Sequence, residues 1–456
     1  MKSKIYVIIL LIITFFCIPT CTQEEYQSGA YYQVEYQPST EIDGLQLGVT
    51  YTLWIPQGVK TVRGVIVHQH GAGIPAAKSG MTAAYDLHWQ ALARKWDCAL
   101  MGPSYHVENN AVDDTPGGAQ LWFDARKGSD VTFRKSLDDF AAMSGHSELS
   151  SAPWCLWGHS GGATWAHVMA ALNPDRVVAL WLRSGTANMY KPRPNFPDLH
   201  IPEAIYSIPA MCNPGIQEQG VIWDGQLEMV MEYRAHGAPI GFAPDPLTGH
   251  WCGDSRYLAI PFFDACMSMR LPEKGSKTQT LRPVDMNIAW LAPLLGDTAV
   301  PAALYEGEIA ESVWLPNELI AKMWVEYVKT GQVSDHTPPP APFNVKVVGN
   351  KVTWDAEADF ESGIGHFIIL RDKKYYARVP KEPLLRFQVR PLFQSGYINS
   401  YNDSPVDPVP EMSFIDSLAI GKHRYTVISV NSVGLPSLIS DGATPLPSQL
   451  ESQVNH

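Results

Sequence analysis

Basic residues are the first shortage: 34 Lys+Arg stand against 46 Asp+Glu in 456 residues, a net charge of −12. Phosphate backbones attract basic surfaces, so nucleic acid is excluded as the default partner. Charge of either sign is modest at 18 %, against 45 % hydrophobic residues, which places the chain among packed globular proteins and outside the disordered ones. Cysteine is sparse as well. The seven cysteines fall in no metal-ligating spacing, and neither a metal nor an organic cofactor is expected. Beyond residue 18 no long apolar run occurs, so no transmembrane anchor is expected in the mature chain. Aromatics, by contrast, are plentiful, with 14 Trp and 19 Tyr. The length exceeds what one core covers, which implies two or three domains.

At the N-terminus Lys2 and Lys4 precede an apolar stretch from Ile5 to Ile18, after which Pro19 and Thr20 break it and Gln23-Glu24-Glu25 begin a polar chain. This order reads as a secretory signal peptide over 1–21, too short to span a bilayer. Ile18-Pro19-Thr20-Cys21 resembles a degenerate bacterial lipobox, and implies a lipid anchor at Cys21 as the alternative to cleavage and release. The mature chain keeps Cys98, Cys155, Cys212, Cys252 and Cys266. An oxidising compartment permits a disulfide, and Cys212 with Cys252 or Cys266 is the pair to test. Cys98 and Cys155 lie in strand-like runs and read as small buried hydrophobes.

From 28 to 335 the pattern is α/β. After short alternating segments at 31–36 and 46–54, strand-like runs at 63–70, 98–105, 154–158, 177–182, 208–213 and 239–243 alternate with helix-like runs. The helices read at 82–96, 133–143, 162–172, 227–236 and 256–269. Such alternation builds a doubly wound, mostly parallel sheet covered on both faces. A stiff proline-rich linker follows at 336–342. Beyond it, 343–445 carries only strands, at 344–348, 351–355, 366–371, 375–379, 413–415, 423–431 and 437–440, which implies an antiparallel sandwich. Trp354 and the run Tyr425 to Asn431 resemble the buried tryptophan and the tyrosine-bearing strand of a fibronectin type III module. An insertion at 381–411 interleaves Arg386, Phe387, Arg390, Phe393, Tyr397 and Tyr401. It reads as a loop packed on its own domain, with contact to an anionic or sugar-rich polymer as the alternative.

Gly158-His159-Ser160-Gly161-Gly162 is a G-x-S-x-G motif with a strand-like run before it and a helix-like run after it. A serine at such a turn is pushed clear of the sheet edge, with a helix N-terminus beside it to favour developing negative charge. Gly145-His146-Ser147 lacks the following glycine and is discarded. The context of Ser160 resembles the nucleophile elbow of the α/β-hydrolase superfamily, over about residues 45 to 270. That resemblance implies an oxyanion hole from Gly161 and from the loop His68-Gln69-His70-Gly71-Ala72-Gly73, which looks like the His-Gly-Gly-Gly loop of esterases. Ala72 stands in the third place, with Gly71 beside it, and His70 reads as a loop brace. The superfamily's chain order of serine, acid, histidine points to Glu218 in the turn after the strand at 208–213, with Asp224 as second choice. The turn at 183–188 offers no acid. For the histidine it points to His250, over His236 in a helical stretch. Asp254 and Arg256 read as an ion pair ordering the His250 loop.

The connection from Ser184 to Ile205 is too short for a large lid and implies an open site. Trp290 and Trp314 read as loop residues that could line the pocket mouth, whereas Trp324, in a helix at 316–329, reads as core. His106 and Asp113-Asp114 read as solvated loop residues within reach of the site. The expected activity is that of a secreted serine esterase, forming an acyl-enzyme through Ser160, His250 and Glu218. Extracellular relatives that pair this fold with a fibronectin type III module point to ester decorations of a polysaccharide or similar polymer. The alternatives are a serine peptidase of the same fold and a non-catalytic polymer-binding or adhesion protein.

Overall fold

The computed structural model describes residues 29–41, 43–72, 80–106, 121–190, 196, 198–218, 220–276, 280–381, 412–419 and 421–444. The expectations placed on the signal peptide, Cys21, Gly73, Asp113-Asp114 and the insertion after 381 lie outside these residues.

Eight strands form the main sheet: β1 (Gly29–Tyr36), β2 (Val49–Pro56), β3 (Val65–Gln69), β4 (Ala99–Tyr105), β5 (Trp154–His159), β6 (Val177–Arg183), β7 (Ala210–Asn213) and β8 (Ile240–Phe242). Their order is β1-β2-β4-β3-β5-β6-β7-β8. β1, β2 and β4 pair antiparallel, and every pair from β4 to β8 is parallel. Strands β2 to β8 are buried along their whole length. Their near-continuous Val, Leu, Ile and Trp content follows from cover on both faces. The cover comes chiefly from α1 (Leu87–Lys95), α2 (Ser129–Ser144), α3 (Gly161–Leu172), α4 (Val221–Ala235) and α5 (Arg256–Arg270). The segment expected as one helix from 82 divides at Asp86. Its carboxylate accepts from the His88 and Trp89 N–H groups as an N-cap, after a 3-10 turn over Gly80–Tyr85.

Within 271–331 sequence reasoning expected the helix at 316–329 but missed the strands before it. The segment contains β9 (Trp290–Pro293), β10 (Val300–Pro301) and β11 (Ser312–Leu315), a small antiparallel sheet, then α6 (Glu318–Thr330). This corrects the expectation for Trp314, which is fully buried on β11; Trp290 lies on β9, half-buried. Trp324 is core, as expected, and its Nε1 donates to the Phe242 carbonyl at 2.8 Å. The proposed disulfide is also corrected. Cys98, Cys155, Cys212, Cys252 and Cys266 form no disulfide with one another, and each is buried in the core. Burial pushes the Cys98 thiol up to about 12, the behaviour of a small hydrophobe.

The C-terminal strands form two three-stranded antiparallel sheets. One joins β12 (Phe343–Val348), β13 (Lys351–Asp355) and β16 (Ser413–Ile415). The other joins β14 (His366–Arg371), β15 (Lys374–Val379) and β17 (Tyr425–Val430). Trp354, Phe367 and Tyr425 are buried between them. The strand expected at 437–440 is irregular instead. Ser437 and Ser440 pair with β17 through their N–H groups while their hydroxyls, not their carbonyls, accept from Ser429 and Val427.

Candidate active site

Strands β5 to β8 run parallel, so their C-terminal ends share one edge. His159 lies opposite Arg183, and Arg183 opposite Asn213. The loops leaving this edge carry all three residues singled out from sequence. Ser160 follows β5 directly with φ 54 and ψ −119, outside the regions that L side chains ordinarily occupy. The turn is tight enough to require glycine around it: a Cβ at Gly158 would strike the Gly162 carbonyl, and one at Gly162 the carbonyls of Gln69 and His70.

The loops after β7 and β8 zip together as a short parallel extension. Asp245 N–H donates to Pro214 O at 2.8 Å, Ile216 N–H to Asp245 O at 2.8 Å and Gln217 N–H to Thr248 O at 3.0 Å. This fixes Glu218 beside His250. The His250 Nε2 lies 2.8 Å from Ser160 Oγ, and its Nδ1 lies 2.5 Å from Glu218 Oε1. With Glu218 bound at Nδ1, the ring presents Nε2 as acceptor to the serine. The other carboxylate oxygen, Oε2, accepts from Ser184 Oγ at 2.7 Å and from the Gly215 N–H at 3.0 Å. Glu218 is 7 % exposed, so its position is set by these bonds.

The β3 loop closes on the same point. A Cβ at Gly71 would stand 3.0 Å from Ser160 Cβ, and one at Gly161 3.3 Å from Ala72 N. Ala72 and Gly71 therefore lie beside Ser160 and Gly161, and Gly161 opens α3, where N–H groups lack intrahelical partners. His70 is buried against His68 and Trp157 beneath the loop.

The remaining sequence candidates lie elsewhere. Asp224 is exposed in the first turn of α4, and His236, exposed past its end, stacks on Tyr206 at 4.2 Å. His106, at the end of β4, is bonded to Thr50 Oγ1 at 2.8 Å. Arg256 grips Asp86 in a bidentate pair at 2.7 and 3.1 Å. Among the described residues no group of three or more His, Cys, Asp or Glu could hold a metal ion, and no helix is long and apolar enough to cross a membrane.

No family model and no curated protein matches the chain. Among solved structures it is similar to a cold-adapted esterase from an Arctic intertidal metagenomic library, at 12 % identity over 55 % of this chain and 98 % of that one, with a TM-score of 0.38. It is also similar to a ferulic acid esterase, at 15 % identity over 48 % and 91 %, TM-score 0.34. A third is an S-formylglutathione hydrolase from Agrobacterium tumefaciens, at 15 % over 54 % and 96 %, TM-score 0.37. The mixed eight-stranded sheet, its covering helices and the serine at a strand-to-helix turn fit the α/β-hydrolase architecture.

Proposed function

We propose that this chain is a serine hydrolase that cleaves carboxylic esters through an acyl-enzyme. One observation carries the proposal: Ser160 Oγ, the His250 ring and Glu218 form a continuous hydrogen-bonded chain, from segments far apart in sequence. In the proposed mechanism Ser160 Oγ attacks the ester carbonyl as His250 Nε2 takes its proton. Glu218 holds the ring and stabilises its charge. The carbonyl oxygen, now an oxyanion, is met by the N–H groups of Gly161 and Ala72, with Gly71 keeping the loop close to the serine. His250 then passes its proton to the departing alkoxide, and water reverses the sequence on the acyl-enzyme. No step calls for a metal or organic cofactor.

The finer parts of the proposal are a signal peptide at 1–21, a catalytic domain at 28–335, a linker at 336–342 and a fibronectin type III-like domain at 343–445. They include export to the cell surface, periplasm or medium, with lipid at Cys21 as the anchored form. The proposed substrate is an ester-decorated polysaccharide. Its support is the resemblance of this two-module arrangement to extracellular polymer-directed esterases.

A fluorophosphonate probe tests the chemistry: Ser160 should be labelled in the native chain and unlabelled in His250→Ala. Hydrolysis of a short-chain p-nitrophenyl ester separates an esterase from a strict peptidase, and acyl release from decorated xylan tests the polymer. A native chain inert to the probe would leave the non-catalytic binding protein standing.

A further inference from the structure

Two buried side chains at the strand ends take no part in the chemistry above: His159, the last residue of β5, and Arg183, the last of β6. Both are 0 % exposed. Removing a guanidinium from water is costly, and the rest of β6 is Val-Val-Ala-Leu-Trp-Leu, so an apolar residue would complete the strand more cheaply. The reason for the arginine lies in the His250 loop. Residues 249–251 form a bend, neither helix nor strand, so their inward carbonyls need donors from elsewhere.

Those donors come from the two strand ends. Arg183 Nη2 donates to the carbonyls of Gly249 at 3.1 Å and Trp251 at 2.5 Å and to Thr248 Oγ1 at 2.6 Å, while Nε reaches Trp251 O at 3.1 Å. His159 Nε2 donates to the carbonyl between them, that of His250, at 2.5 Å. Arg183 Nη1 reaches Asn213 O at 2.8 Å, at the root of the Glu218 loop. The Asp245 carboxylate, 4.0 Å away, supplies the countercharge. Each strand end thus contributes two consecutive residues. His159 and Arg183 turn to the histidine loop; Ser160 and Ser184, both at positive φ, turn to the triad.

We infer that Arg183 and His159 are positioning residues that hold the His250 imidazole at Ser160 by fixing the carbonyls of residues 249–251. The inference rests on the triad reading. A planar fork suits the task because it donates in several fixed directions, which an ammonium on a flexible stem does not.

Arg183→Lys retains the charge and loses the fork. With a short-chain p-nitrophenyl ester its kcat should fall about 100-fold while KM stays within about 2-fold, as for a misplaced catalytic group. In a His250→Ala chain the same substitution should change the residual rate of p-nitrophenyl ester hydrolysis by less than about 2-fold, because its effect runs through the missing ring. A merely structural role would give equal losses in both backgrounds and overturn the inference. His159→Gln, which keeps a donor, should stay within about 3-fold of native kcat, and His159→Phe should lose about 30-fold; equal losses overturn that residue's role. If Arg183→Lys does not melt cooperatively, Thr248→Val removes only the hydroxyl contact. It should lower kcat about 5-fold, and an unchanged kcat overturns the inference. A native chain that is not labelled at Ser160 refutes the triad itself; one that is labelled, with Arg183→Lys at native kcat, refutes only the clamp.

Discussion

Ser160 carries a backbone conformation that stores strain of about 1–3 kcal/mol, and only a glycine would relax it. Ser160→Ala keeps the strain and Ser160→Gly releases it, so both should lose labelling while the glycine variant melts higher, by about 1 kcal/mol. Thermal unfolding of the two variants side by side checks this; equal melting would mean the turn is unstrained. The acid is equally testable. Glu218→Gln should cost about 10²- to 10⁴-fold in kcat by disturbing the ring's tautomer, and Asp224→Asn, out on the surface of α4, should change nothing. The convergence of Ser160, Glu218 and His250 was legible because each sits where one local pattern, strand then turn, exposes it. Arg183 and His159 were not, because their role exists only once four strand ends align. In sequence Arg183 was merely the start of a turn that lacked an acid.

At the scale of elements, the β7 and β8 loops show why short strands suffice: Arg183 and the paired loop backbone continue the order past Asn213 and Phe242. The sheet at β9 to β11 escaped detection because its strands are only two to four residues long, below the length at which alternation is visible. The C-terminal sheets meet the chain at Asp335, just before the proline-rich stretch, through a polar knot. Asn431 Nδ2 donates to Asp335 Oδ2 at 2.8 Å and to Asp359 Oδ2 at 3.1 Å. Burial raises the Asp359 carboxyl, the Ser362 N–H opposes it and the Asp335 charge adds to it, leaving it at about 7. The folded chain therefore holds a proton that the unfolded chain releases near pH 4, and stability falls as pH rises from about 4 to 7. Asp359→Asn mimics the protonated form. Its melting temperature relative to the native chain should climb between pH 5 and pH 8, for a stability difference of roughly 2–4 kcal/mol, and a flat difference across that range would refute the proton's role. Asp416 has the opposite sign. Burial pulls it upward, but hydrogen bonds from Tyr376, Tyr425 and Arg371 outweigh that and hold it at about 2. Its contribution is present above the ordinary carboxylate range and disappears only in strong acid.

For the whole molecule, a proline-rich linker between two patterns suggests separate modules, yet the packing joins them through one helix. On α1, Trp89, Leu92 and Ala93 belong to the main core, while Leu87 and Ala91, one turn apart on another face, belong to the apolar cluster of the sandwich. His88 Nε2 lies 2.6 Å from the Phe360 carbonyl, Arg94 pairs with Glu357 at 2.9 Å and Lys95 lies 4.7 Å from the Phe360 ring centroid. A sequence pattern reports that a helix has two apolar faces, not which partner each face meets. The native chain should accordingly melt in one calorimetric transition. Leu87→Glu, which places a charge where the side chain is nearly buried, should cost about 2–4 kcal/mol, split the transition in two and admit protease into the 336–342 linker. The Asp86–Arg256 pair still anchors the start of α1 to α5, so ester hydrolysis measured below the first transition should stay within about 2-fold of native. A single unsplit transition in Leu87→Glu would show that the sandwich is held by something other than this helix face.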